Sequence, residues 1–256
     1  MRVLAIGDVV GSCGCEKLRS VLPELKRRYS AELTIVNGEN STENIGISRD
    51  TAADIFRSGA DVITTGNHVW RHRDIYGELE RGAGIIRPAN YHPDSPGSGC
   101  FLFEKGRLRA LVVNLSGQLF MDAYESPFAC IERLLSQNDC KLVVIDFHAE
   151  ATSEKQALGR MLDGRVSLVY GTHTHVQTAD ERILPGGTGY ITDIGMCGAY
   201  DSVLGMNIET AIRRITTKLP EPPRTASGEG TVNGIFAELD DATGKAVRLE
   251  RISLRG

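Results

Sequence analysis

Side chains that bind metals or transfer protons recur along this sequence of 256 residues, each shortly after an apolar run. They are Asp8 after VLAIG, Glu39 and Asn40 after TIVNG, Asn67 and His68 after VITTG, His148 after VVIDF, and His173 and His175 after LVYGT. One polar residue after a strand usually forms a turn or a cap. Two imidazoles one residue apart, however, point to the same side of an extended segment, and imidazole is a common metal ligand. The combined set predicts a metal centre, and its mixed carboxylate, amide and imidazole groups favour iron, manganese or zinc over calcium or magnesium.

The apolar runs predict an α/β protein, because strand-like segments alternate with amphipathic helical segments. A helix is predicted around residues 16–29 with a break near Pro23, and a second helix is predicted between an N-cap at Ser48 and a stop at Gly59. The carboxyl ends of strands line the ligand crevice in open α/β sheets. Residues one strand–helix–strand unit apart can therefore meet at one site.

Composition limits the classes of partner. The net charge is -4 and the pI is about 5.9, which predicts neither long nucleic acid nor an anionic membrane surface as a partner. No apolar run approaches the roughly 20 residues of a membrane span. The first residues are typical of a strand and not of a secretory signal, and six scattered cysteines do not form the pattern of a disulfide framework. We therefore expect a cytoplasmic location.

The C-terminal segment predicts a hairpin over about residues 231–255, because TVNGIFAELD and KAVRLERISL flank the turn sequence DATG. About 25 residues could hardly fold alone. We therefore expect one domain over residues 1–256, with the hairpin completing its sheet.

Five motifs, GDVVG, NGEN, TGNH, HAE and GTHTHV, occur in an order that resembles the calcineurin-like metallophosphoesterases, and more closely their YmdB-type branch. The resemblance implies a two-sheet β-sandwich flanked by helices, in four αββα layers. It also implies two divalent or trivalent transition-metal ions, with iron expected and manganese or zinc as alternatives. The reaction it implies is hydrolysis of small phosphodiesters, with 2′,3′-cyclic nucleotides as the substrate class.

The same resemblance implies roles for the polar residues. It places one metal on Asp8, Glu39, Asn40 and His175, and the other on Glu39, Asn67, His148 and His173. Val10 stands where the wider superfamily has a ligand histidine, so Asn40 is the expected replacement. Val69 stands where an acid often follows the histidine of GNH, which leaves open what orients His68.

The expected reaction uses a hydroxide that bridges the metals as the nucleophile and His68 as the general acid. His68 could instead hold the phosphate by charge without transferring a proton. Two other functions stay open: a metallophosphoesterase acting on phosphomonoesters or RNA ends, and a regulatory metal-binding protein that acts through a partner. The sequence does not fix the oligomeric state, and a homo-oligomer is one alternative.

Overall fold

The computed structural model describes residues 1–255 as strands and helices that alternate along most of the chain. The α-helices are α1 (Gly11–Tyr29), α2 (Arg49–Ser58), α3 (Tyr76–Glu80), α4 (Pro127–Ser136), α5 (Thr152–Met161) and α6 (Ile208–Thr217). The strands are β1 (Arg2–Ile6), β2 (Asp8–Val9), β3 (Leu33–Asn37), β4 (Val62–Thr64), β5 (Cys100–Lys105), β6 (Leu108–Ser116), β7 (Val143–His148), β8 (Leu168–Thr172), β9 (Arg182–Ile183), β10 (Gly189–Ile191), β11 (Met196–Ala199), β12 (Gly230–Leu239) and β13 (Ala246–Arg255). Short 3-10 helices cover Val69–Arg71 and Arg73–Ile75.

The strands form two mixed sheets. The first has the order β2-β11-β12-β1-β3-β4, and β13 pairs with β12 in an antiparallel hairpin. The second has the order β5-β6-β7-β8-β10-β9. The neighbours β1, β3 and β4 are parallel in the first sheet, and β6, β7, β8 and β10 are parallel in the second. Each sheet therefore gathers the carboxyl ends of several neighbouring strands at one edge.

Apolar side chains explain the stacking of the layers. One buried cluster joins the two sheets face to face, and it contains Val3, Ala5, Leu33, Ile35, Val62, Val112, Val144, Leu168 and Ile191. A second cluster packs α1 and α2 on the outer face of the first sheet, and a third packs α4 and α5 on the outer face of the second sheet. The predicted α/β class, with a two-sheet sandwich between helices, is confirmed.

Two local predictions have different outcomes. Ser48 caps α2 by accepting a hydrogen bond from the backbone N–H of Thr51, and Gly59 ends this helix with a φ of 115°. The predicted break near Pro23 is wrong, because α1 begins at Gly11 and runs through the proline to Tyr29. Pro23 lies on the exposed face, where water can satisfy the carbonyl that loses its helical hydrogen bond. Within residues 1–255, no helix combines the length and apolarity that crossing a membrane requires.

Candidate metal centre

The predicted polar residues all lie where strands of the two sheets end. Asp8 starts β2 one residue after β1, and His148 is the last residue of β7. Glu39 and Asn67 lie in the loops after β3 and β4, and His173 directly follows β8. Because the parallel strands of both sheets end on the same side, residues separated by more than 100 positions come into contact.

One group of ligand atoms surrounds the imidazole of His148. Its Nε2 atom lies 3.0 Å from Oε1 of Glu39, 3.0 Å from Oδ1 of Asn67 and 3.1 Å from Nδ1 of His173. Glu39, His148 and His173 offer ligand atoms that all lie within 4.8 Å of one another. Glu39, Asn67, His148 and His173 are the set that the family resemblance assigns to one of the two metals.

A second group lies beside the first and shares Glu39. Nε2 of His175 is 3.8 Å from Oδ1 of Asp8 and 3.4 Å from Nδ2 of Asn40, and Nδ2 of Asn40 is 3.4 Å from Oε1 of Glu39. The amide of Asn40 thus presents its nitrogen to this group and its oxygen to His68. Ligation of a cation through oxygen requires the opposite orientation of the amide.

The donor set fits cations. Asp8 and Glu39 are both fully buried, and Oδ1 of Asp8 has no hydrogen-bond partner within residues 1–255. A buried carboxylate oxygen without a partner is costly unless a positive group compensates it. Gly66 makes room for the cluster, since an added Cβ would lie 2.2 Å from Oε2 of Glu39 and from the ring of His148. Oxygen and imidazole nitrogen are suitable ligands for transition metals.

Burial and proximity shift the pKa values of these groups in different directions. Burial raises the pKa of Asp8. Burial also opposes ionisation of Glu39, but the neighbouring His148 and His68 outweigh it and hold the pKa of Glu39 well below its usual range. Burial disfavours the charged form of His148, whereas Glu39 and Asp8 raise its pKa to about 9. Burial, assisted by His148, lowers the pKa of His173 to about 3.

A buried polar network beneath the cluster orients His148. The hydroxyl of Thr172 donates to Oδ1 of Asp146 at 2.7 Å, so its oxygen is free to accept from Nδ1 of His148 at 2.9 Å. Asn37 also donates to Asp146, at 3.0 Å. With the proton of a neutral His148 held on Nδ1, Nε2 presents its lone pair to the cluster. Sequence analysis missed this network, because Asp146 and Thr172 lie inside apolar runs that predict only strands.

His68 is held by the groups predicted to bind metal. Its backbone N–H donates to Oε2 of Glu39 at 3.1 Å, and its Nδ1 lies 3.0 Å from Oδ1 of Asn40 and 3.0 Å from Oε1 of Glu39. These contacts answer the question that Val69 left open. The His68 side chain is partly exposed, so its ring can meet a substrate at the mouth of the cluster.

His173 and His175 both have a strained backbone conformation. His173 has a φ of 96° and His175 a φ of 64°, a region that non-glycine residues rarely adopt. Nδ1 of His175 lies 2.9 Å from the carbonyl oxygen of Leu204, which leaves Nε2 facing Asp8 and Asn40. The loop around Leu204 therefore fixes the ring of His175.

The chain is similar to known proteins over almost its whole length. The sequence profile of the family described as YmdB-like protein matches residues 4–252. The chain is 45% identical over 254 residues to the Bacillus subtilis (strain 168) protein named 2′,3′-cyclic-nucleotide 2′-phosphodiesterase, and the match covers 98% of this chain and 96% of that protein.

Two crystal structures are similar over the whole fold. One is a hypothetical protein from Thermus thermophilus, with a TM-score of 0.94 and 39% identity, covering 100% of this chain and 99% of that one. The other, from Mycoplasma pneumoniae, is described as a novel phosphatase, and it has a TM-score of 0.93 and 36% identity, covering 100% of this chain and 93% of that one.

Proposed function

The chain belongs to the YmdB-like protein family, and on this premise we propose that it is a metal-dependent phosphodiesterase that hydrolyses 2′,3′-cyclic nucleotides. The observation that carries the proposal is the convergence of Glu39 and six other oxygen and nitrogen donors at the strand ends, with Oδ1 of Asp8 buried and without a hydrogen bond within residues 1–255. The named activity of the Bacillus subtilis relative supports the choice of substrate.

Two transition-metal ions would occupy the centre, with iron expected and manganese or zinc as alternatives. Asp8, Glu39, Asn40 and His175 would hold one ion, and Glu39, Asn67, His148 and His173 would hold the other. When bound, such a pair lowers the pKa of coordinated water and stabilises charge on phosphoryl oxygens. The carboxylate of Glu39 lies within reach of both groups, and it would balance charge between them.

His68 would act as the general acid. The leaving group of a ribose diester is an alkoxide, and protonating it contributes roughly 10²–10⁴-fold to the rate. Oε1 of Glu39 lies 3.0 Å from Nδ1 of the imidazole, so the Nε2 side remains to deliver a proton to the substrate. No serine is needed as a nucleophile in this scheme.

A substrate panel tests the proposal. Protein loaded with iron, manganese or zinc is assayed on 2′,3′-cyclic nucleotides, linear diesters and phosphomonoesters, with chelated protein as the control. We expect the cyclic nucleotides to give the highest kcat/KM, with cleavage of one ester bond to a nucleoside monophosphate. Metal-loaded protein that leaves cyclic nucleotides intact would refute the proposal.

Phosphomonoesters are the second candidate substrate class, because the Mycoplasma pneumoniae relative is described as a phosphatase. The same panel separates the two, since a phosphatase would release inorganic phosphate and favour monoesters. A protein that binds metal but turns over nothing would instead support a regulatory role. The single domain over residues 1–256, the cytoplasmic location and the preference for a small-molecule partner remain predictions.

A further inference from the structure

A cavity of about 320 Å³ opens beside the metal centre. Its lining includes Asn40, His68, His173 and His175, so it is continuous with the site of the proposed reaction. Its walls are mostly apolar and include Val10, Ile45, Val203, Leu204, Met206 and Ile215. The volume lies at the lower end of the roughly 300–1,000 Å³ typical of small-molecule sites.

One cationic side chain in this cavity has an unusual environment. Arg214 projects from α6 into the lining, and its Nη1 atom is buried without a hydrogen-bond partner in the described chain, residues 1–255. A guanidinium is a donor with no acceptor capacity, and leaving a buried donor unpaired is costly. A ligand that offers acceptors at this position would remove the cost.

We propose that the cavity binds the nucleobase of the substrate and that Arg214 selects guanine over adenine. The inference rests on the proposed function, because it places the phosphate at the metal centre and the base in the adjoining cavity. The Hoogsteen edge of guanine offers two acceptors, N7 and O6, which match the paired donors of a guanidinium. Adenine replaces O6 with an amino donor, which would face the donors of Arg214.

The cavity suits a base better than a second phosphate. Apolar walls stabilise the faces of a flat ring, whereas they offer a phosphate few hydrogen-bond donors. The carboxylate of Glu43 also lines the cavity, and it already accepts from the backbone N–H of Ser12 and the hydroxyl of Thr225. Arg224 also lines the cavity, so the charges there do not exclude a phosphate, and the apolar walls are what favours a flat ring. Arg214 would therefore be a specificity-determining residue.

Equilibrium binding tests the inference without requiring turnover. Guanosine 3′-monophosphate and adenosine 3′-monophosphate are titrated calorimetrically into metal-loaded protein. One well-made bidentate contact discriminates between bases by about 1–3 kcal/mol, so we expect guanosine 3′-monophosphate to bind roughly 5- to 150-fold more tightly. The substitution Arg214→Met leaves an unbranched side chain without the guanidinium donors, and it should bring the two dissociation constants together.

Arg213→Met is the matched control. Arg213 occupies the next position of α6, its side chain is exposed, and its Nε lies 2.7 Å from Oε1 of Glu221 outside the cavity lining. This variant should keep the guanine preference of the parent. A thermal melt of each variant checks that the fold is intact.

Three outcomes would overturn the inference. The parent could bind both nucleotides equally, or it could bind neither. Arg214→Met could also lose the same factor in affinity for both nucleotides. The last result would place Arg214 against the phosphate instead of the base. Failure of the proposed function gives a different pattern, in which the guanine preference depends on Arg214 but cyclic nucleotides are not hydrolysed.

Discussion

Nε2 of His148 lies 3.0 Å from Oδ1 of Asn67, although 81 positions separate the two residues in the chain. The residue after Asn67, His68, places its Nδ1 atom 3.0 Å from Oδ1 of Asn40 and 3.0 Å from Oε1 of Glu39. Two neighbours in sequence thus face different parts of one site. The arrangement predicts that Asn67 serves the metal and that His68 serves the substrate.

The substitutions Asn67→Ala and His68→Ala should fail in different ways. Asn67→Ala removes a proposed ligand, so metal content should fall. His68→Ala should keep both ions, while kcat on a 2′,3′-cyclic nucleotide falls by roughly 10²–10⁴-fold. Elemental analysis and steady-state kinetics measure the two effects.

Substrates with different leaving groups distinguish two roles of His68: donating a proton to the leaving group, or binding the phosphate through its charge. An activated aryl diester has a stable leaving group that needs little protonation, so the His68→Ala defect should shrink on that substrate. If His68→Ala loses the same factor in kcat/KM on both substrates, mainly through a higher KM and with its metal intact, His68 only binds the phosphate.

Glu39→Gln should disrupt both ions together. Oε1 of Glu39 lies 3.0 Å from Nε2 of His148 and 3.4 Å from Nδ2 of Asn40, and Glu39 is the residue that the two sets share. A neutral amide cannot balance the charge of two cations, so we expect metal content to fall below two ions per chain and activity to drop sharply. A variant with full metal content and parental turnover would remove Glu39 from the bridging role.

Gly66→Ala should disturb the centre without changing any ligand. The added methyl would lie 2.2 Å from Oε2 of Glu39 and from the His148 ring, which is far inside contact distance. We expect weaker metal binding and a lower melting temperature. Gly77→Ala is the control, because an added Cβ there meets no atom of residues 1–255 within 4 Å and alanine favours the helix α3. If Gly66→Ala matched this control in metal content and melting temperature, the cluster would have more room than the structure indicates.

The sequence predicted the strand-end residues of this site because a polar residue after an apolar run is visible without any tertiary information. Asp8, Glu39, Asn67 and His148 each follow such a run, and the parallel order of the strands brings them together. The ligand roles themselves are predictions that rest on the resemblance.

Other parts of the site depend on contacts that no local pattern carries. Asp146 and Thr172 support His148 from within strands. In the sequence each is a single polar residue in an apolar segment, which does not indicate a contact with His148. Arg214 belongs to an amphipathic helix whose sequence does not show that a cavity lies beneath it. The continuous helix at Pro23 depends equally on which face of α1 meets water.

Metal uptake should release a proton near neutral pH. Burial opposes the charged form of His148, but Glu39 and Asp8 outweigh it and raise the pKa of His148 to about 9, so the metal-free protein carries a proton there at neutral pH. A cation that binds Nε2 must displace that proton, whereas His173, with its pKa lowered to about 3, has none to lose. Affinity should therefore rise by up to roughly tenfold per pH unit until the pH reaches the pKa of His148.

Calorimetry of Mn²⁺ or Zn²⁺ binding in two buffers with different ionisation enthalpies counts the released protons. We expect about one proton from His148 at about pH 7.5 and almost none at about pH 10. A proton count that does not change between these pH values would show that His148 is already neutral before the metal binds.

Thr172→Val should weaken metal binding although Thr172 is not among the proposed ligands. Its oxygen accepts from Nδ1 of His148 because its own hydroxyl proton is committed to Asp146. Valine has the same shape but no acceptor, so the imidazole loses the contact that keeps Nε2 directed at the cluster. Removing such a supporting contact typically costs roughly 10–100-fold in metal affinity. Competition with a chelator of known affinity measures the loss.

Thr34→Val is the matched control for this last prediction. Thr34 is equally buried, in β3, but its Oγ1 has no hydrogen-bond partner within residues 1–255, so the same substitution removes no contact. Thr34→Val should keep parental metal affinity, and Thr172→Ser, which restores a hydroxyl, should recover most of what Thr172→Val loses. If Thr172→Val bound metal as tightly as Thr34→Val, the ring of His148 would be fixed by its packing and its contacts within the cluster, and the hydrogen bond from Nδ1 would not set its orientation.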